Sequence, residues 1–200
     1  NSPYPIKIVV FNELDSGLIA DGLAEYKLNQ RIDSRNNLAM MAMSQRNAYV
    51  AQTSIADNTH LQQSVHELLS FNGAGLINIH TPSPVRHGFS PEYTLRQAEL
   101  AVATRMFPLF RYNPLEDGVF GSRITLEGNN DKSLDWIEGD DGKPLLPNHW
   151  AINEKRFQAH FSLLTDNEQL PVELCNWLEL STAEQSKHTP LVILHRHGQE

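Results

Sequence analysis

The sequence predicts an α/β fold: a mostly parallel sheet with flanking helices, followed by an irregular and helical carboxyl-terminal extension. Three observations predict it. Residues 5–11, PIKIVVF, form an apolar, β-branched run too short for an independent helix, and Gly75–Ile79 is a second strand-like run. Between them a short apolar stretch, Ala48–Val50, precedes Leu61, Val65, Leu68 and Leu69, which recur at helical spacing. Finally, the first run breaks into Asn12, Asp15, Ser16 and Gly17 and the last into a Pro-rich segment. Such polar breaks at strand ends are where open α/β sheets bind ligands.

Taken in order, residues 5–11 read as a buried strand whose exit loop, residues 12–22, is under functional suspicion by position. Residues 23–37 are polar and irregular, and Leu38–Met43, LAMMAM, reads as either a strand or a buried helical turn. Asn58 or Asp57 can cap the next helix, because a short side-chain oxygen accepts from the free amides of a first turn. That helix is expected to run to about Ser70, where Phe71, Asn72 and Gly73 end it. A further helix starts near Pro91 or Glu92, with Leu95, Ala98, Val102 and Met106 as its core stripe, and stops at Phe107-Pro108. From Leu115 to Asn148, many Gly, Asp and Asn residues and little periodicity predict a long surface excursion. Helical spacing returns over 150–164 through Ile152, Phe157, Phe161 and Leu164, Val172–Leu180 reads as another helix, and Pro190–Leu194 as a closing strand.

Two hundred residues allow either one core or a domain of roughly 110–130 residues with a smaller appendage. A hydrophobic fraction of 40% and charged fraction of 20% are those of an ordinary globular chain. No apolar run approaches the ~20 residues that span a bilayer, so no membrane association is expected. A net charge of −8 with scattered Lys and Arg gives phosphate backbones no electrostatic reason to bind, so no nucleic-acid partner is expected. The start at Asn1 lacks a charged segment followed by an apolar one. No signal peptide is therefore expected, and the chain reads as a piece of something longer. One cysteine, Cys175, builds neither an internal disulfide nor a Cys-rich metal site; a buried thiol in a reducing, cytoplasmic compartment is the expected reading.

Few motifs carry chemistry by themselves. Gly139-Asp140-Asp141-Gly142 invites comparison with the GDG signature of thiamine-diphosphate enzymes, whose Asp ligates magnesium. The residues before it are weak as a strand, however, and Gly142-Lys143-Pro144 reads as a turn, so an acidic turn is expected. His195 and His197 share one strand face without a visible third ligand, and read as surface or terminal histidines. His80, Arg86 and His87 follow the Gly75–Ile79 run, where loop packing is the expected role and contact with a ligand the alternative. Ser83 lacks a nucleophile elbow, and neither a Cys–His arrangement, a P-loop nor a dinucleotide fingerprint is readable. Trp136, Trp150 and Trp177 in the extension suit either a small second core or a partner surface.

The order of segments carries a resemblance. Residues 37–51, NLAMMAMSQRNAYVA, look like the pattern LGLIAMSYGYVYVA. Residues 73–88, GAGLINIHTPSPVRHG, look like GPSLIIAYSPCIAHG with one extra residue, and residues 107–114, FPLFRYNP, look like WPLYRYNP. In this order the matches resemble the carboxyl-terminal thiamine-diphosphate-binding domain of pyruvate:ferredoxin (flavodoxin) oxidoreductases, the large 2-oxoacid oxidoreductases. The resemblance implies that residues 1–114 are the second half of that α/β domain and 115–200 a family-atypical extension. In the family the first strand ends in DTEVYSNTGG, whose Thr side chain and Val carbonyl bind magnesium and whose Asn faces cofactor and substrate. Setting its Glu on Glu13 puts the Thr position at Asn12, the Val position at Leu14 and the Asn position at Gly17. Asn12 and Leu14 are then the implied magnesium ligands, and Asn12, Leu14 and Gly17 the implied cofactor-binding residues.

The departures matter as much. Gly17 offers no side chain, Ile19-Ala20 stand where the family has Gly-Gly, and Ser83 stands where it has Cys. The GDG-bearing half of the domain has no counterpart in this sequence. The implication is a part of a 2-oxoacid oxidoreductase-like protein that uses thiamine diphosphate and magnesium as a whole. Alone, this chain should neither hold the cofactor tightly nor catalyse. The implied partners are the remaining domains of the parent, with a homodimer as a further assembly. Two other readings stand beside it: a degenerate domain keeping the fold as scaffold or subunit interface, and an unrelated α/β module whose loop from His80 to His87 contacts an anion.

Overall fold

The computed structural model describes residues 5–14, 37–139, 142–161, 172–185, 188 and 190–191. The chain divides into two compact units, Asn1–Arg156 and Phe157–Glu200. In the first, strands β1 (Lys7–Asn12), β2 (Tyr49–Ser54), β3 (Gly75–His80), β4 (Phe110–Tyr112) and β5 (Ile124–Thr125) form one open sheet in the order β1-β3-β2-β4-β5. The core trio β1, β3 and β2 is parallel; β4 and β5 add antiparallel. The α/β class expected from the sequence is therefore the observed one. Asn12, His80 and Ser54 lie side by side in register, so the three parallel strands deliver their carboxyl ends to one level.

Helices α1 (Leu38–Ser44) and α2 (Asn58–Ser70) cover opposite faces. Val50 and Ala51 are neighbours on β2 and point to opposite sides. Val50 packs with Ala39 and Met43 of α1, whereas Ala51 packs with Leu68 of α2. All six β2 positions are buried, as a central strand requires. LAMMAM, left open between strand and helix, is helical. The Asn37 side chain accepts from the Met40 amide at 2.9 Å, and Ala39 and Met43, four apart, share the buried face.

Asp57, not Asn58, caps α2, its Oδ1 accepting from the His60 amide at 2.8 Å. The helix ends at Ser70 as expected, but its core stripe is rotated from the apolar count. His60, Ser64 and Leu68 are buried, while Val65 and Leu69 are exposed. The polar pair is admitted because both are bonded: His60 Nδ1 meets Thr53 Oγ1 at 2.9 Å, and Ser64 Oγ donates to the His60 carbonyl at 2.7 Å.

After β3 come a short helix α3 (Pro84–His87), a 3-10 turn (Pro91–Tyr93) and α4 (Thr94–Ala103). The expected α4 stripe holds at Ala98 and Val102 but not at Leu95, which is 52% exposed in the first turn; Gln97 is buried instead. Between Leu115 and Asn148 most residues are exposed, as expected for a surface excursion, yet it is tied down. Asn129 pairs with both backbone groups of Leu109, accepting from its N–H at 2.8 Å and donating to its carbonyl at 2.6 Å. Asn130 donates to the Ala103 carbonyl at 2.8 Å. Gly128 fits this return with φ +84, where a Cβ would fall 2.9 Å from Asp57 Oδ2.

The helical spacing read over 150–164 resolves into α5 (Pro147–Ala151) and a 3-10 turn (Lys155–His160), because the chain turns at Ile152–Glu154; residues 162–171 lie outside the described set. In the second unit Val172–Glu173 is a strand, β6, rather than the start of a helix, and pairs in parallel with β7 (Pro190–Leu191). Helices α6 (Leu174–Leu178), which carries Cys175, and α7 (Thr182–Gln185) lie between them. The Trp177 indole N–H donates to the Gln185 and His188 carbonyls, both at 3.2 Å.

Candidate functional site

The level carboxyl ends of β1, β3 and β2 carry a head-to-tail row of amides. Asn12 Nδ2 donates to Asn78 Oδ1 at 3.1 Å, Asn78 Nδ2 to Gln52 Oε1 at 3.2 Å, and Gln52 Nε2 to the Pro108 carbonyl at 2.8 Å. Each amide both donates and accepts, so the row, which starts on the edge strand β1, satisfies the buried amides of Asn78 and Gln52. Asn12 Oδ1 accepts from the Leu14 amide at 2.8 Å, an Asx turn that places Leu14 in the left-handed region at φ +57.

His80 closes the same turn from β3. Its Nδ1 lies 2.9 Å from the Asn12 carbonyl, which can only accept, so Nδ1 carries the proton and Nε2, buried without a hydrogen-bond partner, is the bare nitrogen. The ring stacks on Phe107 with centroids 4.9 Å apart. Burial pushes its pKa down to about 4, the Arg156 charge adding to that and the bond to Asn12 opposing it.

A buried ion pair completes the site from the far end of the unit. Glu154 and Arg156 side chains are 1% and 7% exposed, with Arg156 Nε donating to Glu154 Oε2 at 2.5 Å. Gln97 Nε2 of α4 donates to Glu154 Oε1 and to the Trp150 carbonyl, both at 2.9 Å, and the Arg156 guanidinium lies 5.4 Å from the centre of the Trp150 ring. From this anchorage Arg156 Nη1 donates to the Leu14 carbonyl at 2.9 Å. His87 is buried beside the pair, and Arg86 forms a half-exposed ion pair with Glu13 at 3.5 Å. Gly88 ends α3 at φ +74 under Lys155, whose Cδ a Cβ would approach to 2.6 Å.

No protein-family model matches the chain. It is similar to pyruvate oxidoreductases. The pyruvate:ferredoxin oxidoreductase of Moorella thermoacetica is 30% identical over 115 residues, 57% of this chain and 9% of that protein. The mitochondrial pyruvate dehydrogenase (NADP+) of Euglena gracilis is 30% identical over 115 residues, 56% of this chain and 6% of its own length. The pyruvate-flavodoxin oxidoreductase of Rhodospirillum rubrum is 27% identical over 106 residues, 52% and 9% respectively. The match thus spans less than a tenth of each of these relatives, and about half of this chain.

Among the expected ligand residues, the structure brings Asn12 and Leu14 together in one turn, while Gly17 and Ile19-Ala20 lie outside the described residues. Magnesium demands near-octahedral oxygen donors. Here Asn12 Oδ1 already accepts from the Leu14 amide, and the Leu14 carbonyl already accepts from a guanidinium. Among the described residues no group of three or more His, Cys, Asp or Glu is gathered for a metal. These donors, so arranged, do not fit a magnesium ion.

The other sequence candidates separate cleanly. His80, expected on a loop, is the last residue of β3, and Arg86 and His87 lie in α3; both histidines are buried and Arg86 is half exposed. Ser83 precedes α3 at its cap position without a side-chain capping bond. Gly139 and Gly142 bracket a turn, the Gly142 amide donating to the Gly139 carbonyl at 3.0 Å; Asp140 and Asp141 between them, like His195 and His197, lie outside the described residues. No helix of the described residues is long and apolar enough to cross a membrane. Sequence reasoning missed Gln97, Glu154 and Arg156. Their one signal was Glu154-Lys155-Arg156 interrupting a run of helical apolar spacing.

Proposed function

We propose that residues 1–114 form the second half of a thiamine-diphosphate-type α/β domain in a 2-oxoacid:ferredoxin or flavodoxin oxidoreductase-like protein, and that this chain is not catalytic alone. The observation that carries the reading is the similarity to three pyruvate oxidoreductases over about half the chain. It is supported by a sheet whose three parallel strands end at one level, the edge at which such folds bind ligands. The thiamine diphosphate and magnesium of the whole protein would be held chiefly by the other half of the domain. In this reading the partners are the remaining domains of the parent, with a homodimer as a further assembly, and the compartment is the cytoplasm.

One observation favours a second reading, a domain that keeps the fold as scaffold or subunit interface after losing the cofactor: Arg156 on the Leu14 carbonyl. Calorimetric titration of the parent protein with thiamine diphosphate and magnesium, with the 200-residue chain as control, separates the two. Micromolar binding by the parent and none by the chain supports the oxidoreductase; a folded parent that binds neither leaves the scaffold.

A further inference from the structure

We infer that Arg156 is a built-in cation that closes the turn after β1, so that this turn forms without a metal ion. Leu14 adopts a left-handed conformation that an L side chain avoids, and it is held there from both sides. Its amide donates to Asn12 Oδ1 at 2.8 Å and its carbonyl accepts from Arg156 Nη1 at 2.9 Å. The guanidinium is itself fixed: Nε is on Glu154, Glu154 is on Gln97, and the guanidinium lies over Trp150. At 7% and 1% exposure this is not a screened surface pair, and its geometry persists only because each member is bonded.

Arginine is required by shape as well as charge. One planar fork reaches Glu154 through Nε and Leu14 through Nη1, in two directions at once, and a lysine ammonium on a flexible stem cannot hold both. The bond joins residues 142 apart, so Leu14, just past β1, is tied to the last segment of its unit. Leu14 is one of the two residues expected to ligate magnesium, and its carbonyl already carries a positive partner. The inference rests on this geometry and goes beyond the proposed function.

The test is residue-resolved amide hydrogen exchange on the 200-residue chain. Leu14 amide protection should be equal in millimolar magnesium and in EDTA. In Arg156→Gln it should fall by about tenfold or more, equivalent to ~1.4 kcal/mol of local opening, while Ala51 and Ile77 in the sheet stay protected. Arg156→Lys should behave like Arg156→Gln. If the single variant fails to fold because Glu154 is left buried and unpaired, the neutral double variant R156Q/E154Q gives the same reading. Unchanged Leu14 protection in a folded R156Q or R156Q/E154Q, retention of protection by R156K, or protection of the native chain that rises with magnesium, overturns the inference. The readout is local opening rather than cofactor affinity, so its failure is distinct from failure of the oxidoreductase reading.

Discussion

His87 Nδ1 lies 3.7 Å from Glu154 Oε1, both side chains being almost fully buried, an approach that is ionic only when the imidazole is protonated. Burial comes first among the causes, and the charges of Arg156 and Arg86 and the nearby His80 add to it, holding the His87 pKa down at about 4. The Glu154 carboxylate is instead satisfied by Arg156 and Gln97. His87 is therefore a neutral ring packed against a charge pair that belongs to other residues.

Acid should destabilise the first unit for this reason. His80 and His87 have folded values near 4 against an ordinary 6.5, so between those values the unfolded chain binds more protons. Their contribution is complete above pH 6.5 and is lost as the pH falls toward 4, at ~1.4 kcal/mol per histidine per unit. Urea unfolding at pH 7 and pH 5 should differ by ~2–4 kcal/mol, with His87→Gln removing about half of the slope. Equal stability at the two pH values would refute the neutral, buried state of both rings.

Asn129 should anchor the surface excursion. Asn129→Ala removes the partner of both the Leu109 amide and its carbonyl, at a cost of ~1–3 kcal/mol. Limited proteolysis between residues 115 and 148 should accelerate in the same variant. Asn129→Asp keeps the acceptor for the amide but loses the donor to the carbonyl, and should fall between the two.

The cap of α2 gives a paired comparison. Asp57→Ala loses the bond to the His60 amide and should cost ~1 kcal/mol, whereas Asn58→Ala should change stability by less than ~0.5 kcal/mol. Chemical denaturation midpoints of the two variants decide it, and reversed values would move the cap to Asn58.

Arg111 of β4 is 5% exposed and reaches Glu67 at 3.3 Å and Glu127 at 2.6 Å, the latter carboxylate being 69% exposed. Tyr49 also donates to Glu67, at 2.9 Å. Arg111→Met should cost ~2–3 kcal/mol, below the usual figure for a buried pair because the carboxylates can rehydrate. Glu127→Gln should cost under ~1 kcal/mol, as exposed partners do. Similar losses for both variants, measured by urea unfolding, would show that Arg111 is held mainly by Glu127.

The sequence by itself determined the α/β class, the positions of β1 and β3, and the reach of α2 from its cap to Ser70, but not that β1, expected to be buried, is an edge strand with Ile8, Val9 and Phe11 exposed. These rest on local chemistry: β-branched runs too short for helices, apolar residues at helical spacing, and a side-chain oxygen ahead of a first turn. Only the tertiary structure decided that LAMMAM is a helix, that His60 and Ser64 take core positions, and that Leu95 faces out. Burial of a polar side chain depends on partners brought by other elements, as Thr53 is brought to His60. The site shows the same division. Residue order marked the turn at Asn12 and Leu14 as a place of interest. What that turn holds was decided by Arg156, 142 residues from Leu14, because a hydrogen bond between distant residues exists only once the sheet and the helices packed on it have brought them together.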